Sequence, residues 1–148
     1  SSYDANRRFI EMFGYKCTLL TDTEVITYAL DFLTRKKGLT FKEAANVIAA
    51  PFWKDIEKMP DESRDYYTFL RTEFSSLLIT GPFSILVGFT GGVMALNDRL
   101  KLRSMVVGTH NDKTYFASEE CAILSMDSGA ENIKSLGGGT PYIVTLKK

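Results

Sequence analysis

The 148-residue chain is 45% apolar and balances 18 basic residues against 18 acidic ones. That length is enough for a single domain, 1–148, with a real core. A net charge of zero gives no electrostatic pull toward nucleic acid or an anionic membrane, so neither is expected as a partner. The longest apolar run, SSLLITGPFSILVGFTGGV, is broken by Gly81-Pro82 and Gly91-Gly92, so it falls short of the roughly 18 continuous apolar residues that cross a bilayer.

Charges interrupt every apolar pair of the N-terminal SSYDANRRFIEMFGY, which is therefore no signal peptide. The missing initiator Met predicts a processed chain or a segment of a longer one. Cys17 and Cys121 are too few for a disulfide framework and predict reduced thiols in a cytoplasmic protein. A single histidine and two separated cysteines offer no zinc-type ligand cluster.

Along the chain, residues 3–13 place Phe9, Ile10 and Phe13 on one side of a helix that Gly14 can end. KCTLL, 16–20, reads as a short strand. From Asp22 to Lys37, Val25, Ile26, Ala29, Leu30 and Leu33 recur at helical spacing. Arg35 to Lys37 suit the last turn, and Gly38 stops it. Thr40-x-x-Glu43 is a capping box for a helix with Phe41, Ala44, Ala45 and Ile48 inward. PFWKDIEKM is a short turn, and PDESRDYYTFLRTEF an exposed charged helix with Tyr66, Phe69 and Leu70 inward.

Near residue 76 the pattern changes from helix to strand. FSILVGF, 83–89, reads as a buried strand that turns at Gly91-Gly92 into VMALND, 93–98. SMVVGTH and KTYFASE form a second hairpin around Asn111-Asp112. PYIVTLK is the last strand, and the preceding GGGT, 137–140, is a turn and not a phosphate loop. Helices first and antiparallel hairpins after predict an α+β fold.

Three polar groups could carry function. Thr21-x-x-Glu24 is itself a capping box, and Asp22 suits the positive end of the helix dipole. A cap does not need Asp22, however, and a carboxylate at a strand-to-helix turn can receive a ligand ammonium. Asp98, Arg99 and Arg103 lie in LNDRLKLRS. They make either a solvated loop with surface ion pairs or a buried Asp–Arg network that shapes a wall. Ser118 reads as the cap of a helical turn running to about Leu124, with Glu119 in its first turn. His110 reads as a turn residue and Cys121 as a small buried thiol; nothing in their spacing makes them a catalytic pair.

TLLTDTEVI at 18–26, GPFSILVGFTGGVMALNDRLKLRS at 81–104 and YFASEECAI at 115–123 resemble, in that order, class II glutamine amidotransferase domains. The subgroup is that of glutamate synthase and its stand-alone relatives, with 40–75 as a helical insert. The resemblance implies an N-terminal nucleophile hydrolase-type sandwich of antiparallel sheets with helical layers. It also implies hydrolysis of glutamine to glutamate and ammonia for a synthase, in the nitrogen metabolism of the cell. In that family an N-terminal Cys attacks with its own α-amino group as base, an Arg holds the substrate carboxylate, and an Asn-Gly pair forms the oxyanion hole. An Asp in a Ser/Thr-Asp-Ser/Thr-Glu motif holds the substrate ammonium, and Asp22 matches it.

Ser1-Ser2-Tyr3 does not match the family's N-terminus, and SSYDANRRF resembles the segment after its His-Asn-Gly motif. The chain therefore reads as the C-terminal portion of such a domain, with no catalytic residue of its own. Asp22 would bind L-glutamine. Thr21 and Glu24 would support it, and Asp98, Arg99, Arg103, Ser118 and Glu119 would shape a wall. Lys101 and Ser104 stand where the family has Gly and Pro, so only a structural role carries over to that loop.

The expected partners are L-glutamine and the missing N-terminal part or a synthase subunit. No metal or cofactor is expected in this chain; flavin and iron–sulfur would come only with a glutamate synthase partner. The alternative is a non-catalytic glutamine-binding, regulatory or scaffolding relative. Strand edges left open by a missing first sheet would favour homo-oligomers.

Overall fold

The computed structural model describes residues 2–146. They form a mixed α+β chain of two compact units, Ser1–Gly81 and Pro82–Lys148. The division falls at Gly81-Pro82, close to the change of pattern near residue 76.

The first unit is helical. α1 (Tyr3–Met12), α2 (Asp22–Asp31), α3 (Phe41–Ile48), α4 (Trp53–Ile56) and α5 (Asp61–Glu73) follow one another, and a 3-10 turn spans Ser75–Leu77. Gly14, at φ +87°, ends α1 as its lack of a Cβ allows. The core is drawn from every helix: Ile10, Val25, Leu30, Ile48, Ile56 and Leu70 are all buried. The buried Asn6 amide donates to Ser76 O at 2.6 Å and Leu78 O at 3.3 Å, tying α1 to the segment that closes the unit. Thr40 and Glu43 form the expected capping box at α3.

Three expectations change here. Residues 16–20 are not a strand, because the Thr18 and Leu19 N–H groups bond a side chain instead of a ladder. The helix from Asp22 does not run unchanged to Lys37. It widens at Phe32–Lys36 into a π-helical turn, with Lys37 N–H on Phe32 O, before Gly38 stops it at φ +74°. Phe69 points outward and is 57% exposed, because the inner stripe of α5 runs through Tyr66, Leu70 and Phe74.

The second unit is two three-stranded antiparallel sheets and one helix. β1 (Ser84–Phe89), β2 (Gly92–Asn97) and β6 (Tyr142–Thr145) form the first sheet, in the order β1-β2-β6. β3 (Val106–His110), β4 (Lys113–Ala117) and β5 (Glu131–Ser135) form the second, in the order β4-β3-β5. Ala95 and Tyr142 of the first sheet pack with Val107 and Phe116 of the second around Met105 and Leu136. On the other face of β3, Gly108 leaves room for Ile123 and Ile133. Ile123 belongs to α6 (Glu120–Met126).

β1 is an edge strand and not a buried one: Ser84, Leu86 and Gly88 are exposed, while the central β2 is buried along nearly all its length. The register pairs Phe89 with Gly92, so the two turn residues are Thr90 and Gly91, the latter at φ +87°. Gly92 already belongs to β2, where a side chain would strike the Phe89 ring and Val144 O. Asn111 takes φ +53° in the tight turn between β3 and β4, as its side chain tolerates. The polar sequence ENIKS concealed β5. It is an exposed edge strand with a bulge opposite Val107–Thr109 and Asn132 at φ +53°. GGGT leads into the edge strand β6, as expected.

Candidate functional site

The polar motif 21–24 begins α2. Thr21 is the N-cap, and its hydroxyl accepts from Glu24 N–H at 3.2 Å. Glu24 does not complete the expected capping box. Its carboxylate turns back to the preceding loop and accepts from Thr18 N–H and Leu19 N–H, both at 2.8 Å, and from the Thr18 hydroxyl at 3.3 Å. The Thr18 amide, with the other donors of this loop, holds the Glu24 carboxyl below the usual carboxylate range against the effect of its burial. The loop so fastened places Leu20 at φ +55°, a strained setting for a leucine, with Leu19 and Leu20 exposed.

Thr23 O is taken by the Thr27 hydroxyl at 2.7 Å. Asp22, exposed at the first position of α2, has no hydrogen-bond or ion-pair partner among the described residues. Of the four side chains in the motif, two are engaged in holding the turn, and the Asp22 carboxylate is left to solvent.

All five expected wall residues lie in the second unit, and three of them, Arg103, Ser118 and Glu119, line one groove. Asp98 is buried at 2% exposure. Its carboxylate accepts from the backbone N–H groups of Phe83, Leu100, Leu102 and Arg103 at 3.0–3.2 Å. The loop after β2 thus winds around one carboxylate, with Lys101 at φ +56° and its N–H on Asp98 O. This is not a solvated loop: its organising carboxylate is buried. The carboxylate accepts from backbone donors of the loop that carries Arg99 and Arg103. Burial lowers the Arg99 guanidinium below its ordinary value. Arg103 is exposed.

Arg103 lines a groove of about 630 Å³ together with Ser84, Leu86, Leu102, Ser104, Met105, Ala117, Ser118 and Glu119. Glu119, and not Ser118, is the N-cap residue of α6, and no side-chain bond caps that helix. The groove therefore keeps the Ser118 hydroxyl and the Glu119 carboxylate at its wall. Cys121 is exposed, contrary to the buried thiol expected, and its Sγ lies 3.4 Å from Glu119 Oε2. Cys17 is the buried thiol, and burial pushes it up from its ordinary value, which makes it a poor nucleophile.

One cluster escaped the sequence entirely. His110 closes β3 instead of sitting in the turn, and its Nδ1 lies 2.7 Å from Asp127 Oδ2. The Tyr115 hydroxyl donates to the same oxygen at 2.7 Å, and Gly129 N–H donates to Asp127 Oδ1 at 3.0 Å. Tyr115, then His110, hold the Asp127 carboxyl down at about 2, while the bond to Asp127 raises the Tyr115 phenol. Asp127 lies beyond α6, so no spacing rule links it to His110. A side chain at Gly129 would strike the imidazole, an approach that nothing in the sequence marks.

No group of metal-ligating side chains occurs among the described residues. No described helix is long and apolar enough to cross a membrane.

No protein-family model matches the chain. It is 42% identical over 147 residues to a protein of Archaeoglobus fulgidus described as uncharacterized. That match covers 99% of this chain and 39% of the relative, so the chain spans about two fifths of the relative's length.

Proposed function

We propose that the chain is the C-terminal portion of a class II glutamine amidotransferase domain of glutamate-synthase type, acting in the cytoplasm. The finer fold proposed is the N-terminal nucleophile hydrolase sandwich, with this chain's two sheets as part of it. One observation carries the reading. In the TDTE motif Thr21 caps α2 and Glu24 fastens the preceding loop, while Asp22 is left exposed and unpartnered at the helix start. An exposed carboxylate on a doubly anchored turn is placed to bind the α-ammonium of glutamine and to orient it.

The chemistry itself needs an activated nucleophile and donors aimed at the oxyanion. In this reading they come from an N-terminal Cys and an Asn-Gly pair outside the 148 residues, on the same polypeptide or on a partner. Glutamine would be cleaved to glutamate and ammonia, and a synthase would consume the ammonia.

The second reading is a glutamine-binding relative without turnover. It is favoured by the state of the two thiols: Cys17 is buried, and Cys121 sits beside a carboxylate. Calorimetric titration with L-glutamine, paired with an ammonia assay, separates the readings. The amidotransferase reading expects weak binding to this chain that Asp22→Ala abolishes, with ammonia released once the upstream part is supplied. Binding without ammonia from the longer polypeptide selects the second reading. Binding that Asp22→Ala leaves unchanged removes Asp22 from either.

A further inference from the structure

The groove of the second unit contains one cation and one anion that do not neutralise each other. Arg103 and Glu119 both line it and both are exposed. Neither forms an ion pair among the described residues. The Asp98 carboxylate holds the Arg103 N–H at 3.2 Å and so fixes the backbone from which the guanidinium projects. Glu119 is the N-cap residue of α6, whose other end is tied to β3 and β4 through Asp127. The two charges are thus displayed from anchored backbone.

A ligand with only a negative charge would meet Glu119, and one with only a positive charge would meet Arg103. A ligand bearing both satisfies both. The remaining lining agrees. The hydroxyls of Ser84, Ser104 and Ser118 provide neutral donors and acceptors. Leu86, 54% exposed, offers apolar surface to a neutral side chain. The volume of about 630 Å³ lies within the range of about 300–1,000 Å³ typical of small-molecule sites.

We propose that this groove is a binding site for a zwitterionic α-amino acid with an uncharged side chain, its carboxylate on Arg103 and its ammonium on Glu119. The site lies wholly in the second unit. It does not rest on the glutamine reading, which places its ammonium at Asp22 in the first.

The test is residue-resolved NMR of the 148-residue chain titrated to millimolar concentration with L-leucine, L-glutamine and, as single-charge controls, isopentylamine and 4-methylpentanoate. The expected result is saturable amide shifts at Ser84, Ser104 and Ser118 with the amino acids and none with the controls. Arg103→Gln and Glu119→Gln should each weaken binding by about tenfold or more. Either charge variant is exposed, and its unperturbed spectrum elsewhere would show that it folds. No groove shifts, or shifts that survive both charge variants, would overturn the proposal. Shifts confined to 17–24 would overturn it too while supporting Asp22, so the two sites can fail independently.

Discussion

Each unit organises a loop around one buried carboxylate, and the two do so by different routes. In the first, Glu24 reaches back from α2 to two backbone N–H groups and leaves its neighbour Asp22 unpartnered. In the second, Asp98 gathers four backbone N–H groups and leaves Arg103 displayed. The shared lesson is that a chain can hold an exposed charge still by assigning a different, buried charge to the backbone beside it. The difference lies in how many donors depend on the carboxylate, and it sets the order in which substitutions should matter.

The largest effect belongs to Asp98→Ala. It leaves four N–H groups around a buried carboxylate without their acceptor, and each orphan that solvent does not reach costs about 1–3 kcal/mol. A loss of about 3–5 kcal/mol is expected by denaturant unfolding, with Asp98→Asn losing less. A midpoint shift no larger than that of a surface substitution would show that the loop does not depend on the carboxylate. Glu24→Gln should be milder, since fewer backbone donors rely on it. It should accelerate amide hydrogen exchange at Thr18 and Leu19 while leaving the second unit's exchange unchanged. The Glu24 carboxyl is depressed, so its stabilisation is present above the ordinary glutamate range and is lost as pH falls through its lower folded value.

The His110–Asp127–Tyr115 cluster sharpens the contrast within the second unit by pH. Asp127 is held at about 2, against 3.8 ordinarily. A depressed carboxyl stabilises the fold above the ordinary value and loses that contribution as pH falls toward about 2. Tyr115 is raised above 10, so its contribution is complete below 10 and fades as pH rises through the raised value. Acid titration of unfolding should show a steeper fall between about pH 4 and pH 2 in the wild type than in Asp127→Asn. Parallel curves would mean that the cluster has no net role in stability. A helix cap should matter less again: Thr40→Ala removes the acceptor for Glu43 N–H at 3.2 Å, with a loss of about 1 kcal/mol expected in thermal unfolding.

What the sequence disclosed follows from distance along the chain. The Thr40 cap, the stop at Gly38 and the α2 core face lie within one or two turns, where periodicity and capping chemistry act directly. The change from helix to strand near residue 76 lies close to the division at Gly81-Pro82, although the sequence read as a single domain. Glu24 misled because its spacing from Thr21 fits a capping box, whereas its carboxylate reaches back past Thr21 to the Leu19 and Thr18 N–H groups. The role of Asp98 was hidden because the partners that wrap the loop around it are backbone N–H groups, which carry no side-chain signature. β5 was hidden by polar residues, since an exposed edge strand need not alternate. The Asp127 cluster could not be read at all, as it joins β3, β4 and the segment after α6 through contacts that only the folded second unit creates.

The smallest expected effect on stability decides the most about function. Asp22→Asn removes one charge from the first turn of α2 and touches no described hydrogen bond. A carboxylate in that position favours the helix dipole by about 0.3–1 kcal/mol, and exposure keeps the value at the low end. Thr21 and Glu24 keep the turn in the variant, so the unfolding midpoint should stay within about 0.5 kcal/mol of the wild type. If Asp22 is a ligand group, glutamine binding should nonetheless fall by about tenfold or more, because an ammonium loses its charged partner. Loss of binding at constant stability is the signature of a residue that the fold presents but does not use. A stability loss comparable to Thr40→Ala, with binding unchanged, would return Asp22 to the ordinary role of an acidic residue at a helix start.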